Sequence, residues 1–436
     1  MFYIIPIITM TLVMILLVKE YRSHGFSLSF MAQVWFIVIY CLAPMALISS
    51  FDNVANHAFS LSNKDVKNIF AQLVVLLFYL SLILGVILGS HYKGYIKLTN
   101  TKVSIKKLSY FLVAIGLIGL YIFIRSYSGL QYVLSNLSYI RSGHAEVKSY
   151  VGAFAFGFFK FVNLSFFICL SQLLITKEKK NRVPFPFLLF NLALCFFGLY
   201  LSAGRENAIA FIISIMVIYI AIKKKTPIKL VLTAFVFTLF YIVFGKTLIF
   251  AIYEENFDIN EFFSERFIPM LMNSYELIMV EFAHQYMSLV NFLNYDNDYR
   301  YFYDYINWIF VPLKFLGVNF GDSISYFNTY IIMNRWESII PPGPVAFGYM
   351  SLGAFGVVIH GILIGYTYRM IDKLFNSNNS NKLDPILIGF YGWLVPNFTY
   401  LISNSDITLF FQNRIPVILF FLFLVFFCKA KYIKQG

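Results

Sequence analysis

Basic clusters stand in every second gap between eleven apolar runs, and this alternation constrains the fold more than any other feature of the chain. The runs lie at 3–18, 30–50, 68–90, 108–125, 152–175, 184–201, 207–222, 228–250, 344–368, 385–402 and 408–428. Most approach the roughly 20 residues that an α-helix needs to cross a bilayer. A chain of 436 residues that is 59% hydrophobic, 20% aromatic and only 13% charged is too apolar for a water-soluble domain. The expected fold is an all-α polytopic membrane protein with about eleven transmembrane helices. The first run has no basic flank before it and no small-residue cleavage site after it, so it is expected to be retained as a helix.

Lys and Arg collect in short loops on the cytoplasmic side of a membrane. Six places (19–22, 93–107, 177–182, 223–229, 369–384 and 429–434) hold 21 of the 34 basic residues but only four of the 21 acids. The net charge of +13 therefore reads as sidedness and not as a nucleic-acid footprint. The alternation predicts an N-terminus outside, a C-terminus in the cytoplasm, and no nucleic-acid partner. Cys41, Cys169, Cys195 and Cys428 all fall within apolar runs, so neither a disulfide framework nor a zinc site is expected.

One gap is not a simple connector. Residues 251–343 form a long, acidic and aromatic segment that is expected outside, and loops of that length usually carry function. The expected organisation is 1–250 with eight helices, the loop 251–343, and 344–436 with three helices. Leu271, Tyr275, Ile278, Phe282, Tyr286, Leu289 and Leu293 recur at steps of three and four. They predict an amphipathic helix, lying on the outer membrane surface or packed over the bundle. Tyr295, Tyr299, Tyr301, Phe302, Tyr303, Tyr305, Trp308 and Phe310 follow. Such a run fits an interfacial aromatic belt, and it also fits a platform for sugar rings, which expose apolar C–H faces. Pro341-Pro342-Gly343-Pro344 ends the loop and is expected to fix where the ninth helix enters the membrane. Gly361/Gly365 and Gly85/Gly89 form small-xxx-small pairs that predict close helix packing.

Few cations are expected on the outer side, so each is informative. Arg205 sits in a very short turn between two apolar runs, where a helix opens. Arg266 lies early in the long loop, Arg335 shortly before the prolines, and Arg414 near the start of the last run. Guanidiniums grip phosphate bidentately and stay charged, so these four are candidates to converge on one anion such as a lipid diphosphate. Arg300, Lys160 and Lys246 can equally snorkel or pair with neighbouring acids. Glycosyl transfer to a hydroxyl benefits from a general base. Glu337, beside Arg335, is the first candidate, with Asp322 and His284 after it. Asp296-Asn297-Asp298 has the form of a metal-binding DxD, a short pattern that arises readily by chance; no metal or other cofactor is expected. His360 is expected to be hydrogen-bonded at a glycine-lined helix contact.

This layout resembles the Wzy-type oligosaccharide repeat-unit polymerases of bacterial surface polysaccharides. Four stretches carry the resemblance: 201–208 with its Gly204-Arg205 turn, the large loop with Arg266 early in it, the stretch PPGPVAFGYMSLGAFGVVIHGILIG at 341–365, and Arg414. The resemblance covers about 200–428 and implies a GT-C-like fold in the bacterial inner membrane. It implies a metal-independent glycosyltransferase that joins undecaprenyl-diphosphate-linked repeat units, one as donor and one as acceptor, at the periplasmic face. It further implies contact with membrane lipids and a chain-length regulator as partner. Arg205 and Arg266 would act on the diphosphate with Glu337 as base. Arg335, Arg414, Arg300, Tyr303, His284 and Asp322 would contact substrate. O-antigen ligases are related but place a histidine where this chain has Arg335 and Glu337. A lipid-linked oligosaccharide flippase is the alternative of a different class.

Overall fold

A computed structural model describes residues 3–49, 63–92, 94–98, 104–137, 149–175, 183–202, 205–224, 264, 268–272, 274–294, 298–310, 322–334, 339–375 and 384–433, with isolated positions at 140 and between 229 and 240. Among the described residues nine helices are long and apolar enough to cross a membrane, and the protein is a multi-pass, all-α membrane protein. They are α1 (Ile4–His24), α2 (Leu28–Leu47), α3 (Ile69–Ser90), α4 (Ile105–Ser126), α5 (Tyr150–Ile175), α6 (Phe185–Ser202), α7 (Arg205–Lys223), α11 (Gly343–Phe375) and α12 (Pro385–Ser403). Shorter helices are α8 (Ser274–Leu293), α9 (Asp304–Phe310), α10 (Ile324–Met333), α13 (Ile407–Asn413) and α14 (Ile415–Phe426). The expected helix at 228–250 falls almost wholly outside the described residues.

The chain gathers into two compact units that interleave along the sequence. The first comprises Met1–Lys93, Tyr275–Leu374 and Phe398–Gln412; the second comprises Gly94–Ser274, Phe375–Asn397 and Asn413–Gly436.

In the first unit the two glycine pairs meet each other. A side chain on Gly85 would collide with the Ile362 carbonyl, and one on Gly361 would lie 2.8 Å from Ser81 Cβ. The expected small-residue packing is thus realised between α3 and α11. At one end of the unit Arg369 pairs with Glu20 at 2.8 Å and also reaches His24. Asp372 accepts from the free backbone N–H groups of Leu28 (2.7 Å) and Ser29 (2.9 Å). That carboxylate satisfies donors that the start of α2 cannot pair internally. The clusters at 19–24 and 369–373 therefore share one end, as the charge alternation requires.

One expectation changes in this unit and another is narrowed. The single ninth helix is two pieces: Leu352 (φ −161°, ψ 41°) and Gly353 (φ 59°) break α11 into 343–351 and 354–375. A side chain on Gly348 would lie 2.8 Å from Val357 Cα. Those residues would be about 13 Å apart along a continuous helix. The first piece thus folds back on the second, and the proline run opens this re-entrant piece instead of the spanning helix. The second piece alone is about 33 Å long, enough to span. Backbone N–H groups of Arg300 and Tyr301 bond the Met350 and Ser351 carbonyls at 2.9 and 2.8 Å, capping the re-entrant piece. Of the two placements expected for α8, the buried one is seen. Residues 285–290 are all buried, so this stretch is covered on every side and does not lie at a surface. Two of its buried polar side chains find partners inside the unit: Gln285 donates to the Ser403 carbonyl (2.7 Å) and Tyr286 to the Val66 carbonyl (3.0 Å).

In the second unit α4 and α5 pack through Gly116 and Gly119, whose added side chains would strike Val162 and the Ala155 carbonyl. The last apolar run is also broken. Arg414 (φ −110°, ψ 12°) separates α13 from α14, because Pro416 is tolerated only in the first turn of a helix. A two-stranded antiparallel ladder, β1 (Tyr95–Leu98) with β2 (Ala430–Ile433), sets Lys97 opposite Lys431. Two clusters expected on the cytoplasmic side thereby meet at one end of the unit. All four cysteines are buried and free.

Candidate functional site

The second unit brings charged groups from three helices together. Lys160 lies in α5, about 15 Å along it from Tyr150, deeper than its expected place near the helix end. Its ammonium donates to the Asn413 carbonyl at 3.2 Å, the residue before the break at Arg414. The Arg414 guanidinium stands 3.8 Å from the Glu206 carboxylate. Arg414 is 9% exposed and Glu206 57%, so the cation is held and the acid is half in solvent. Arg414 and Glu206 are also the charged groups that act on Lys160, one repelling it and one attracting it. Two basic side chains, Lys160 and Arg414, thus gather near the Glu206 carboxylate. Arg205 opens α7 immediately before Glu206, at a helix start that favours anions.

A small cavity of about 60 Å³, open on one side, lies against Lys160. Phe156, Phe159, Phe167, Phe211 and Trp393 make its wall aromatic, and Asn163, Ser202, Asn207 and Asn397 supply polar groups. An apolar wall with a few convergent polar groups is the usual form of a small-ligand site.

Lys160 is the residue that sequence reasoning undervalued. The signal was there: α5 has no acid of its own, and an ionisable residue inside a spanning helix is by default a functional candidate. Of the residues singled out beforehand, Arg414 is at this site and Arg205 begins the adjoining helix. Arg266, Arg335 and Glu337 lie outside the described residues.

The remaining candidates belong to the first unit. Arg300 forms a two-point pair with Asp304 (2.9 and 3.3 Å) and donates to the Asp322 carbonyl at 3.0 Å. Its guanidinium lies 4.8 Å from the Phe327 ring and 5.7 Å from the Tyr303 ring. Burial pushes the Asp304 carboxyl above the usual carboxylate range, while Arg300 pulls it down. Asp322 is exposed, and His284 is half-buried in α8. His360 is hydrogen-bonded as expected. Ser405 donates its proton to the Leu401 carbonyl (2.8 Å), so it accepts from His360 Nε2 at 2.9 Å. His360 Nδ1 then accepts from the Tyr305 hydroxyl at 2.5 Å. Among the described residues no three His, Cys, Asp or Glu side chains gather as metal ligands; Asp296 is not among them.

No protein-family model, no curated protein and no solved structure matches the chain.

Proposed function

We propose that this protein is a glycosyltransferase that polymerises polyprenyl-diphosphate-linked oligosaccharide repeat units at the outer face of a bacterial inner membrane. The observation that supports the reading is the meeting of Lys160 and Arg414 at the start of α7, beside an aromatic cavity. A diphosphate presents two adjacent anionic groups, and two fixed cations suit it. Bound there, it would displace Glu206, whose 3.8 Å contact with Arg414 is loose. In the reaction the acceptor hydroxyl oxygen attacks the anomeric carbon of the donor. The bond from that carbon to the diphosphate breaks, and the electron pair leaves with the phosphate. Arg205, Arg414 and Lys160 stabilise the departing charge, so the step has no need of a metal ion. The hydroxyl proton passes to a carboxylate, for which Glu337 is our assignment.

A lipid-linked oligosaccharide transporter is the second reading, favoured by the helix breaks at Leu352–Gly353 and Arg414, since transporters use discontinuous helices around their substrate sites. One experiment separates the two. Detergent-solubilised protein is mixed with a synthetic polyprenyl-diphosphate-linked repeat unit, and products are resolved on a gel. A ladder of lengthening glycans is expected, since bond formation requires no sealed membrane. Unchanged single units from active, folded protein would reject the polymerase and leave the transporter.

A further inference from the structure

The first unit carries a second feature that the diphosphate site does not use. Tyr301 and Phe302, two successive aromatic residues, both have left-handed backbones, with φ of 48° and 57°. Glycine or asparagine adopts that conformation cheaply; a bulky aromatic residue does not. Strain of this kind persists only where the surroundings impose it, and it concentrates at functional sites. The surroundings here are specific. Hydrogen bonds from Arg300 and Tyr301 to the end of the re-entrant piece pin the turn, and Tyr303 N–H closes it on the Arg300 carbonyl at 2.9 Å. The Tyr303 ring is braced by the Arg300 guanidinium, and its hydroxyl donates to Asn307 at 3.4 Å. What this rigid turn displays is aromatic: Tyr301 is 71% exposed, Tyr299 39% and Tyr303 37%.

Charge selects the occupant. A turn built to rest on anionic lipid headgroups would offer free cations beside its rings. Among the described residues, Asp298, two positions before Arg300, and Asp322, whose carbonyl Arg300 holds, are exposed, and Arg300 itself is committed to Asp304. Exposed rings flanked by carboxylates suit a polyhydroxylated ring: its C–H face stacks on the tyrosine and its hydroxyls donate to the acids. We propose that the 298–303 turn is a carbohydrate platform that receives neutral or N-acetylated sugars, with one pyranose stacked on Tyr301. Glycans bearing carboxylates or phosphates would be repelled by Asp298 and Asp322. The inference takes from the proposed function only the expectation that a glycan is present.

The test uses the full chain in phosphatidylcholine nanodiscs. The probes are lipid-free hexose and N-acetylhexosamine trisaccharides, and uronic-acid trisaccharides as counterparts. Saturation-transfer NMR should show magnetisation reaching ring C–H protons of the neutral probes and not the acidic ones. The signal should vanish in Tyr301→Ala and persist in Tyr301→Phe, which keeps the ring. Equal signal in Tyr301→Ala, or transfer to no neutral probe, overturns the proposal. Tyr301→Trp adds a readout independent of binding strength. Quenching of its added fluorescence by brominated lipid would place the ring in the membrane interface and also overturn it; emission insensitive to brominated lipid but shifted by trisaccharide supports it. Neither turnover nor lipid diphosphate enters these measurements. Failure to polymerise would leave the platform standing, and absent sugar binding would leave the polymerase reading standing.

Discussion

Arg414 shows how a single residue holds two roles at once. It caps α14, where the backbone must leave helical geometry ahead of Pro416, and it presents a nearly buried guanidinium to Glu206. Arg414→Lys keeps the charge but loses the planar fork, so a diphosphate would be gripped at one point instead of two. Loss of a charge-assisted contact of a few kcal/mol in Arg414→Ala should slow polymerisation by roughly two orders of magnitude, read as product per minute at equal folded protein. The two carboxylates should separate cleanly. Glu206 competes with the substrate for Arg414, so Glu206→Gln should lower the apparent KM for the lipid donor, by up to about fivefold. Glu337→Gln cannot take the proton and should stop chain growth while donor binding persists. A Glu206→Gln enzyme that binds donor but no longer turns over would transfer the base assignment to Glu206. Tyr301 makes the opposite exchange of stability for display. Tyr301→Gly removes a strained, largely exposed side chain and should stabilise the protein by roughly 1 kcal/mol, since glycine tolerates φ near 48°. The check is thermal unfolding in detergent, where an unchanged or lower midpoint contradicts the strain.

At the scale of elements, close backbone contact does work that side chains cannot do in lipid. An added methyl on Gly356 would strike the Gly348 carbonyl, prising the re-entrant piece from its partner. Gly356→Ala should therefore destabilise the protein by roughly 1–3 kcal/mol. Gly157 in α5 has open space around it, so Gly157→Ala should be neutral or slightly stabilising through helix propensity. Equal unfolding midpoints for the two variants would contradict the re-entrant packing. The spanning helices were legible because apolar runs of the right length have few alternatives in a membrane. The break at Gly353 was not, because glycine is common in transmembrane helices and its φ is set by what packs against it. Pro416 did carry a signal for the break at Arg414, yet the surrounding apolar residues read as one run. For α8 the sequence left two environments open, and Gln285, a polar residue outside the apolar stripe, reads as a wet position until its bond to the Ser403 carbonyl is seen. The site followed the same pattern. Arg205 and Arg414 stood out by position, whereas Lys160, an ionisable residue inside a spanning helix, carried a signal whose partners, Asn413 and Arg414, lie too far along the chain to be read from it.

Across the whole molecule, the distribution of charge decides which face meets which compartment. Within the first unit, the clusters around 19–24 and 369–373 lie together through the Arg369–Glu20 pair. Within the second, the β ladder joins 95–98 to 430–433. These contacts make the alternation of basic gaps a property of the fold, since residues far apart in sequence agree on their end. Positive loops stay in the cytoplasm, so both ends should face inward. The break at Arg414 lies a full length of α14, about 18 Å, from the ladder, so with the ladder facing inward the cationic site would lie beyond the midplane of a roughly 30 Å hydrocarbon core. On that orientation it would open toward lipids of the outer leaflet. The orientation can be tested directly with reporter fusions that are active on one side only. A reporter inserted at Asn378 and one at the C-terminus should both report cytoplasm, and one at Asn297 should report periplasm. If α8 crossed the membrane instead of packing within its unit, the sign after it would flip and Asn378 would report periplasm. That outcome would put the basic residues 369–382 outside, contradict the Arg369–Glu20 pair that holds them at the same end as 19–24, and overturn the orientation on which an outer-leaflet substrate rests.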